Sequence, residues 1–138
     1  MTLKTLLAAA TAATLATAAS AQVIVPEIVT WDGDGDTNLD QTEFQVGFLD
    51  ALPLIGFDTE LSSLMYAENW DAAIAAYNGD APVDFSAHDY DGNDRLDAEE
   101  YAAAWFSAYD VNRDGRIDDA EMVALDADFA EGGYFQDL

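Results

Sequence analysis

Residues 110–121 read DVNRDGRIDDAE, and the spacing within this stretch decides how the rest of the chain is read. Side-chain oxygens stand at places one, three and five (Asp110, Asn112, Asp114), and Gly115 follows at place six. An apolar residue, Ile117, holds place eight, and a carboxylate, Glu121, closes the stretch at place twelve. A hard divalent cation takes six to eight oxygens at about 2.3–2.6 Å, and a twelve-residue loop collects them by winding tightly round the ion. Gly115 suits the sharp turn because glycine adopts positive φ without a steric penalty. Arg116 stands at place seven and Asp118 at place nine.

Used as a template, this stretch reveals two relatives. Residues 32–43, DGDGDTNLDQTE, place Asp32, Asp34 and Asp36 at one, three and five, Asn38 at seven, Leu39 at eight, Asp40 at nine and Glu43 at twelve. Residues 89–100, DYDGNDRLDAEE, place Asp89, Asp91 and Asn93 at one, three and five, with Arg95, Leu96, Asp97 and Glu100 following at seven, eight, nine and twelve. Both lack glycine at place six, where Thr37 and Asp94 stand. Sliding the frame to bring Gly35 or Gly92 there loses the apolar eighth and acidic twelfth residues together. A β-branched Thr at positive φ costs about 1–2 kcal/mol, and Asp tolerates that region better. The order of loop fit is therefore 110–121, then 89–100, then 32–43. The full pattern D-x-[DN]-x-[DN]-G-x5-E, with its two variants, resembles the EF-hand superfamily of calcium-binding proteins. The resemblance implies three calcium loops, here called loops 1, 2 and 3 in chain order, in which place seven (Asn38, Arg95, Arg116) gives its backbone carbonyl, place nine acts through a water and place twelve gives both carboxylate oxygens.

The flanks fit helices entering and leaving each loop. Ile28 and Trp31, Phe85 and His88, and Phe106 and Tyr109 stand four and one residues before the loops, and Phe44, Tyr101 and Met122 one residue after. These are core-facing positions at helical spacing. The implied fold class is all-α, built of helix–loop–helix units. Pro53 stops the helix leaving loop 1, and Asp58 caps a helix over about 58–77 with Leu61, Leu64, Met65, Trp70, Ile74 and Tyr77 as its apolar face. Asn78-Gly79 ends that helix, and Pro82 opens the short one entering loop 2. Tyr134 and the residues after it are a tail with no evident task. Loops 2 and 3 leave nine residues between them, so one helix of about 12 residues, some 18 Å long, serves both. The two loops then lie at opposite ends of that helix and cannot pair side by side. Loop 1 is expected to pair with one of them near place eight, leaving the other unpartnered or paired between chains.

Composition bounds the function. Residues 1–21 carry Lys4, an apolar Ala/Leu/Thr run and Ala19-Ser20-Ala21, the pattern of a signal peptide cleaved after Ala21. The expected mature domain, residues 22–138, is therefore periplasmic or secreted. It retains Arg95, Arg113 and Arg116 against 28 Asp and Glu, a net charge of −25, together with 16 aromatic residues and no Cys. So acidic a surface repels nucleic acid and anionic membranes and attracts cations, while the aromatic content argues against a disordered acidic tail. No cysteine nucleophile is present, His88 is the only histidine, and the clustered carboxylates are taken up by the loops, so no enzyme is expected.

The close spacing of loops 2 and 3, the signal sequence and the aspartate at place nine of every loop also resemble the lanmodulin type of lanthanide-binding EF-hand proteins. Those loops carry Pro at place two, where this chain has Gly33, Tyr90 and Val111. The repeated Asp-x-x-Glu at places nine to twelve is also a capping box that starts each exit helix. Calcium is the expected ion, with a trivalent lanthanide as the alternative. A calcium-gated module that presents an apolar groove to a protein partner is the competing function, weakened by the presence of only Met65 and Met122 beyond Met1.

Overall fold

The structure, a computed structural model of the chain, describes residues 26–60, 62–76 and 83–136. The expected signal peptide, Leu61, Tyr77, the Asn78-Gly79 stop and Pro82 lie outside the described residues, as does the side chain of Ile74. The described residues form five α-helices and two short strands: β1 (Leu39–Asp40), α1 (Gln41–Ala51), α2 (Ala67–Ala76), α3 (Phe85–His88), α4 (Ala98–Tyr109), β2 (Arg116–Ile117) and α5 (Asp119–Phe129). Single turns of 3-10 helix stand at Ile28–Trp31, Leu52–Ile55, Ser63–Met65 and Tyr134–Gln136.

The expectation of an all-α fold of helix–loop–helix units is corrected by the sheet, and by loop 1, which is entered by the 3-10 turn Ile28–Trp31 in place of an α-helix. β1 and β2 pair antiparallel, with Leu39 opposite Ile117 and Asp40 opposite Arg116. The physical reason lies at place eight of the loops. Leu39 and Ile117 are fully buried, and their backbone groups precede the helices that follow. Buried N–H and C=O groups without a helical partner must bond elsewhere, and here they bond across the loops.

The pairing of loop 1 with loop 3 is one of the two pairings expected. Loop 2 is not left alone. The Leu96 N–H donates to the Met65 carbonyl at 2.8 Å and the Ala67 N–H to the Asp94 carbonyl at 3.0 Å, forming a single antiparallel bridge between Tyr66 and Arg95. The helix expected over about 58–77 is accordingly shorter. Residues 58–60 and 62 are not helical, Ser63–Met65 is a 3-10 turn, and α2 starts at Ala67. Asp58 stands nine residues before Ala67 and does not cap α2. Its Oδ1 accepts the Glu60 N–H at 2.8 Å, and its carbonyl accepts the Ser62 N–H at 2.9 Å.

These pairings set α1 and α4 side by side in opposite directions. The start of α1 adjoins the far end of α4 through β1 and β2, and the segment after α1 adjoins the start of α4 through Met65 and Leu96. Between them lies an aromatic core. Phe44 and Phe48 of α1 meet Phe106, Tyr109 and Tyr101 of α4 at ring separations of 5.6–6.0 Å. Phe129 of α5 packs edge-on to Phe48 at 5.9 Å. The described part of the tail, Tyr134–Gln136, is part of this core. Phe135 stacks on Phe129 at 4.6 Å and meets the edge of Trp105 at 5.0 Å, so the last 3-10 turn closes the open end.

α1 ends at Ala51, just before Pro53 as expected, and Gly56, at φ +84°, turns the chain onward. Within α1, Gly47 meets the Trp31 indole so closely that a Cβ there would lie 2.2 Å from the ring. α3 starts with Asp84, whose carboxylate accepts the Ser86 N–H at 3.0 Å; this residue, rather than a proline, caps it. Among the described residues no helix is long and apolar enough to cross a membrane.

Candidate metal centre

Each of the three loops repeats one hydrogen-bond scheme. The place-one carboxylate turns inward and accepts backbone N–H groups from the loop's middle. Asp32 takes Gly35 and Thr37 at 2.7 and 2.9 Å, Asp89 takes Gly92 and Asp94 at 2.9 and 3.1 Å, and Asp110 takes Asp114 and Gly115 at 3.1 and 2.9 Å. Place three accepts from place five, through Asp34, Asp91 and Asn112 at 2.8–3.1 Å. Place five accepts from place seven, through Asp36, Asn93 and Asp114 at 2.8–3.0 Å. Short polar side chains at alternate places thus wind the backbone round a common centre, because each can bond the N–H two residues on.

The winding uses two left-handed residues per loop. Places four and six carry positive φ in all three: Gly35 (+77°) and Thr37 (+71°), Gly92 (+70°) and Asp94 (+63°), Arg113 (+60°) and Gly115 (+87°). The glycine expected at place six is therefore not lost from loops 1 and 2 but sits two places earlier. At these two places each loop has one glycine and one strained residue, and Thr37, being β-branched, is the most strained of the three.

The place-twelve glutamate ties the two ends of each loop together. One oxygen of Glu43 accepts the Gly33 and Asp34 N–H groups at 2.9 and 3.2 Å, and the other accepts the Asp40 N–H at 3.0 Å. Glu100 does the same with Tyr90 and Asp97 at 2.8 and 2.9 Å, and Glu121 with Asn112 and Asp118 at 3.1 Å each. Asp40, Asp97 and Asp118 complete capping boxes on α1, α4 and α5, each accepting the place-twelve N–H at 2.9–3.1 Å. The reading of Asp-x-x-Glu as a helix start is therefore observed at all three exits.

Carboxylate oxygens converge in two of the loops. Those of Asp32, Asp34 and Asp36 lie within 4.8 Å of one another, and so do those of Asp89, Asp91 and Glu100. Among the described residues loop 3 does not gather three carboxylates that closely, since its place three is the amide of Asn112. Convergence has an electrostatic signature. The Asp36 N–H bond draws Asp34 down, but desolvation and the charges of Asp36, Glu43 and Asp32 outweigh it, so its carboxyl stands above the ordinary carboxylate pKa. Asp36 stands below it, chiefly because the Asn38 N–H bonds its carboxylate, with further help from the Asn38 and Arg116 side chains.

The donor set suits a hard cation. It consists of carboxylate and amide oxygens on loops already wound, with no sulfur and with His88 outside the loops. Asp32, Asp34, Asp36 and Glu43 would hold an ion in loop 1, Asp89, Asp91, Asn93 and Glu100 in loop 2, and Asp110, Asn112, Asp114 and Glu121 in loop 3. Asp40, Asp97 and Asp118 are already committed to helix caps, which gives place nine a structural task in every loop.

The side chains at place seven do more than their sequence position suggests. Asn38 folds back on Asp36, its Nδ2 donating to the Asp36 carbonyl at 3.1 Å. Both arginines cross to the paired segment. Arg116 of loop 3 donates to Asp36 of loop 1 at 2.6 Å, and Arg95 of loop 2 donates to the Thr59 and Glu60 carbonyls at 2.5 and 3.3 Å. No sequence signal marks these contacts, which span 80 and about 35 residues.

Comparison with family models, with curated proteins and with solved structures finds no match.

Proposed function

We propose that the protein binds calcium through loops 1, 2 and 3, as an exported acidic protein that buffers the ion or is stabilised by it. The observation that carries the reading is the convergence of Asp32, Asp34 and Asp36, and of Asp89, Asp91 and Glu100, inside loops that share one winding scheme. Their resemblance to EF-hand loops supports calcium over softer metals. When bound, the ion supplies positive charge that offsets the repulsion among carboxylates crowded at each loop centre. We assign the chain a binding rather than a catalytic role, and no nucleic-acid or membrane partner.

Calorimetric titration of residues 22–138 with calcium and, separately, with lanthanum tests the proposal. Three calcium sites per chain are expected. Absence of calcium binding would defeat the proposal, and tight binding of lanthanum with weak binding of calcium would replace calcium by a trivalent ion. A calcium-gated partner surface is tested in the same samples with a hydrophobic dye, whose fluorescence is expected to stay unchanged when calcium is added.

A further inference from the structure

The described residues of the stretch 58–69 (58–60 and 62–69) occupy a place in the fold equivalent to that of the three metal loops, although the stretch matches the sequence pattern poorly. The bridge between Tyr66 and Arg95 has the same register as that between Asp40 and Arg116, a ninth residue facing a seventh. With Asp58 as place one, Met65 falls at place eight, and it is fully buried like Leu39, Leu96 and Ile117. Place ten is Ala67, the first residue of α2, just as Gln41, Ala98 and Asp119 open α1, α4 and α5. The bond from place seven to place five also recurs, the Leu64 N–H donating to Ser62 Oγ at 3.3 Å.

The chemistry of the segment differs. Asn69 replaces the place-twelve glutamate and Tyr66 the place-nine aspartate. The carboxylate that binds an ion with two oxygens is therefore missing, and so is the capping box. In its stead the Arg95 guanidinium donates to the carbonyls at places two and three, Thr59 and Glu60, and lies 5.6 Å from the Tyr66 ring centroid. Carbonyl oxygens and an aromatic face are both attractive to a cation.

We propose that residues 58–69 form a fourth loop position that takes no metal ion, in which the Arg95 guanidinium supplies the cation, and that Arg95 is a positioning residue for loop 2. Through this anchor the segment holds the backbone pair at Leu96 and so braces the loop that contains Asp89, Asp91 and Glu100. Naming loop 2 a metal site rests on the function proposed above; the bracing itself does not.

The test is amide hydrogen exchange on the wild type, Arg95→Gln and Arg95→Lys, with the amides of the β1–β2 pair as an internal reference. Arg95→Gln is expected to speed exchange at Leu96 and Ala67 tenfold or more, leaving the reference amides unchanged, while Arg95→Lys keeps most of the protection. Wild-type protection in Arg95→Gln overturns the proposal, and so does equal loss in Arg95→Lys, which would make the role one of shape and not of charge. If the glutamine variant does not fold, retained protection in the lysine variant supports the proposal and lost protection overturns it. A calcium titration of the wild type adds a separate reading. Four ions per chain overturn the metal-free assignment and three support it, whereas none defeats the function proposed above and leaves the exchange result to decide the bracing.

Discussion

Positive φ is the residue-scale feature on which the loops depend, and it separates substitutions that look alike in sequence. Gly115 has open space where a Cβ would stand, so Gly115→Ala introduces no clash and only backbone strain. Its expected cost is about 1–2 kcal/mol. Thr37→Gly removes strain of the same kind and is expected to stabilise the chain, by less than that strain because glycine also adds freedom to the unfolded chain. Urea unfolding of both variants in calcium checks the opposite signs. Gly47→Ala works by a different cause, since the Trp31 ring would have to move from its edge-on contacts with Phe44 and Phe129. Overpacking of this sort costs about 1–3 kcal/mol, and a shift in tryptophan fluorescence should accompany the loss.

At the scale of elements, α1, α4 and α5 were legible because place eight, place twelve and the flanking aromatics repeat at fixed offsets, whereas the helix expected to enter loop 1 is only the 3-10 turn Ile28–Trp31. Phe44, Tyr101, Phe106 and Tyr109 are all buried where helical spacing put them. The segment after Gly56 was misread because Leu64, Met65 and Trp70 fit a helical stripe as well as they fit a loop with a buried eighth residue. Without a place-twelve acid or a glycine, local sequence favours neither. What decides is Leu96 and Asp94, about 30 residues away in sequence, which offer backbone partners to Met65 and Ala67. The candidate site divides in the same way. The converging carboxylates were legible from spacing, whereas the reach of Arg95 and Arg116 across the pairs depends on tertiary contact. Place nine offers a clean test of its own. Asp118→Ala removes the cap of α5 and is expected to cost about 0.5–2 kcal/mol, whereas Asp118→Asn keeps a good cap and most of the stability. If calcium affinity falls in both while stability falls only in Ala, place nine serves the ion as well as the helix.

For the molecule as a whole, the balance of charge is the dominant fact. With 28 acidic residues against four basic ones, crowded carboxylates oppose the compact state unless a cation offsets them. Chelation is therefore expected to lower the melting temperature substantially, and calcium to restore it, as circular dichroism melts would record. Identical melts in chelator and calcium would refute this. The alkaline limit has another origin. Burial, aided by Asp128, pushes Tyr134 up to about 12, and burial raises Tyr101 as well. Above pH 10 the unfolded chain loses tyrosine protons that the folded chain retains, so stability falls as pH rises from about 10 towards 12. Tyr101→Phe should reduce this loss, measured by unfolding at a series of alkaline pH values.

The arginines that cross between paired segments have a consequence for proteolysis. Beyond Lys4, trypsin has only the bonds after Arg95, Arg113 and Arg116 to cut, and all three lie inside loops 2 and 3. A protease must draw extended chain into its cleft, which a tightly wound loop resists, the more so at Arg95 and Arg116, whose side chains are engaged elsewhere. Trypsin thus becomes a gauge of loop closure, in which an uncut chain reports closed loops and the first fragment reports which of the two opened.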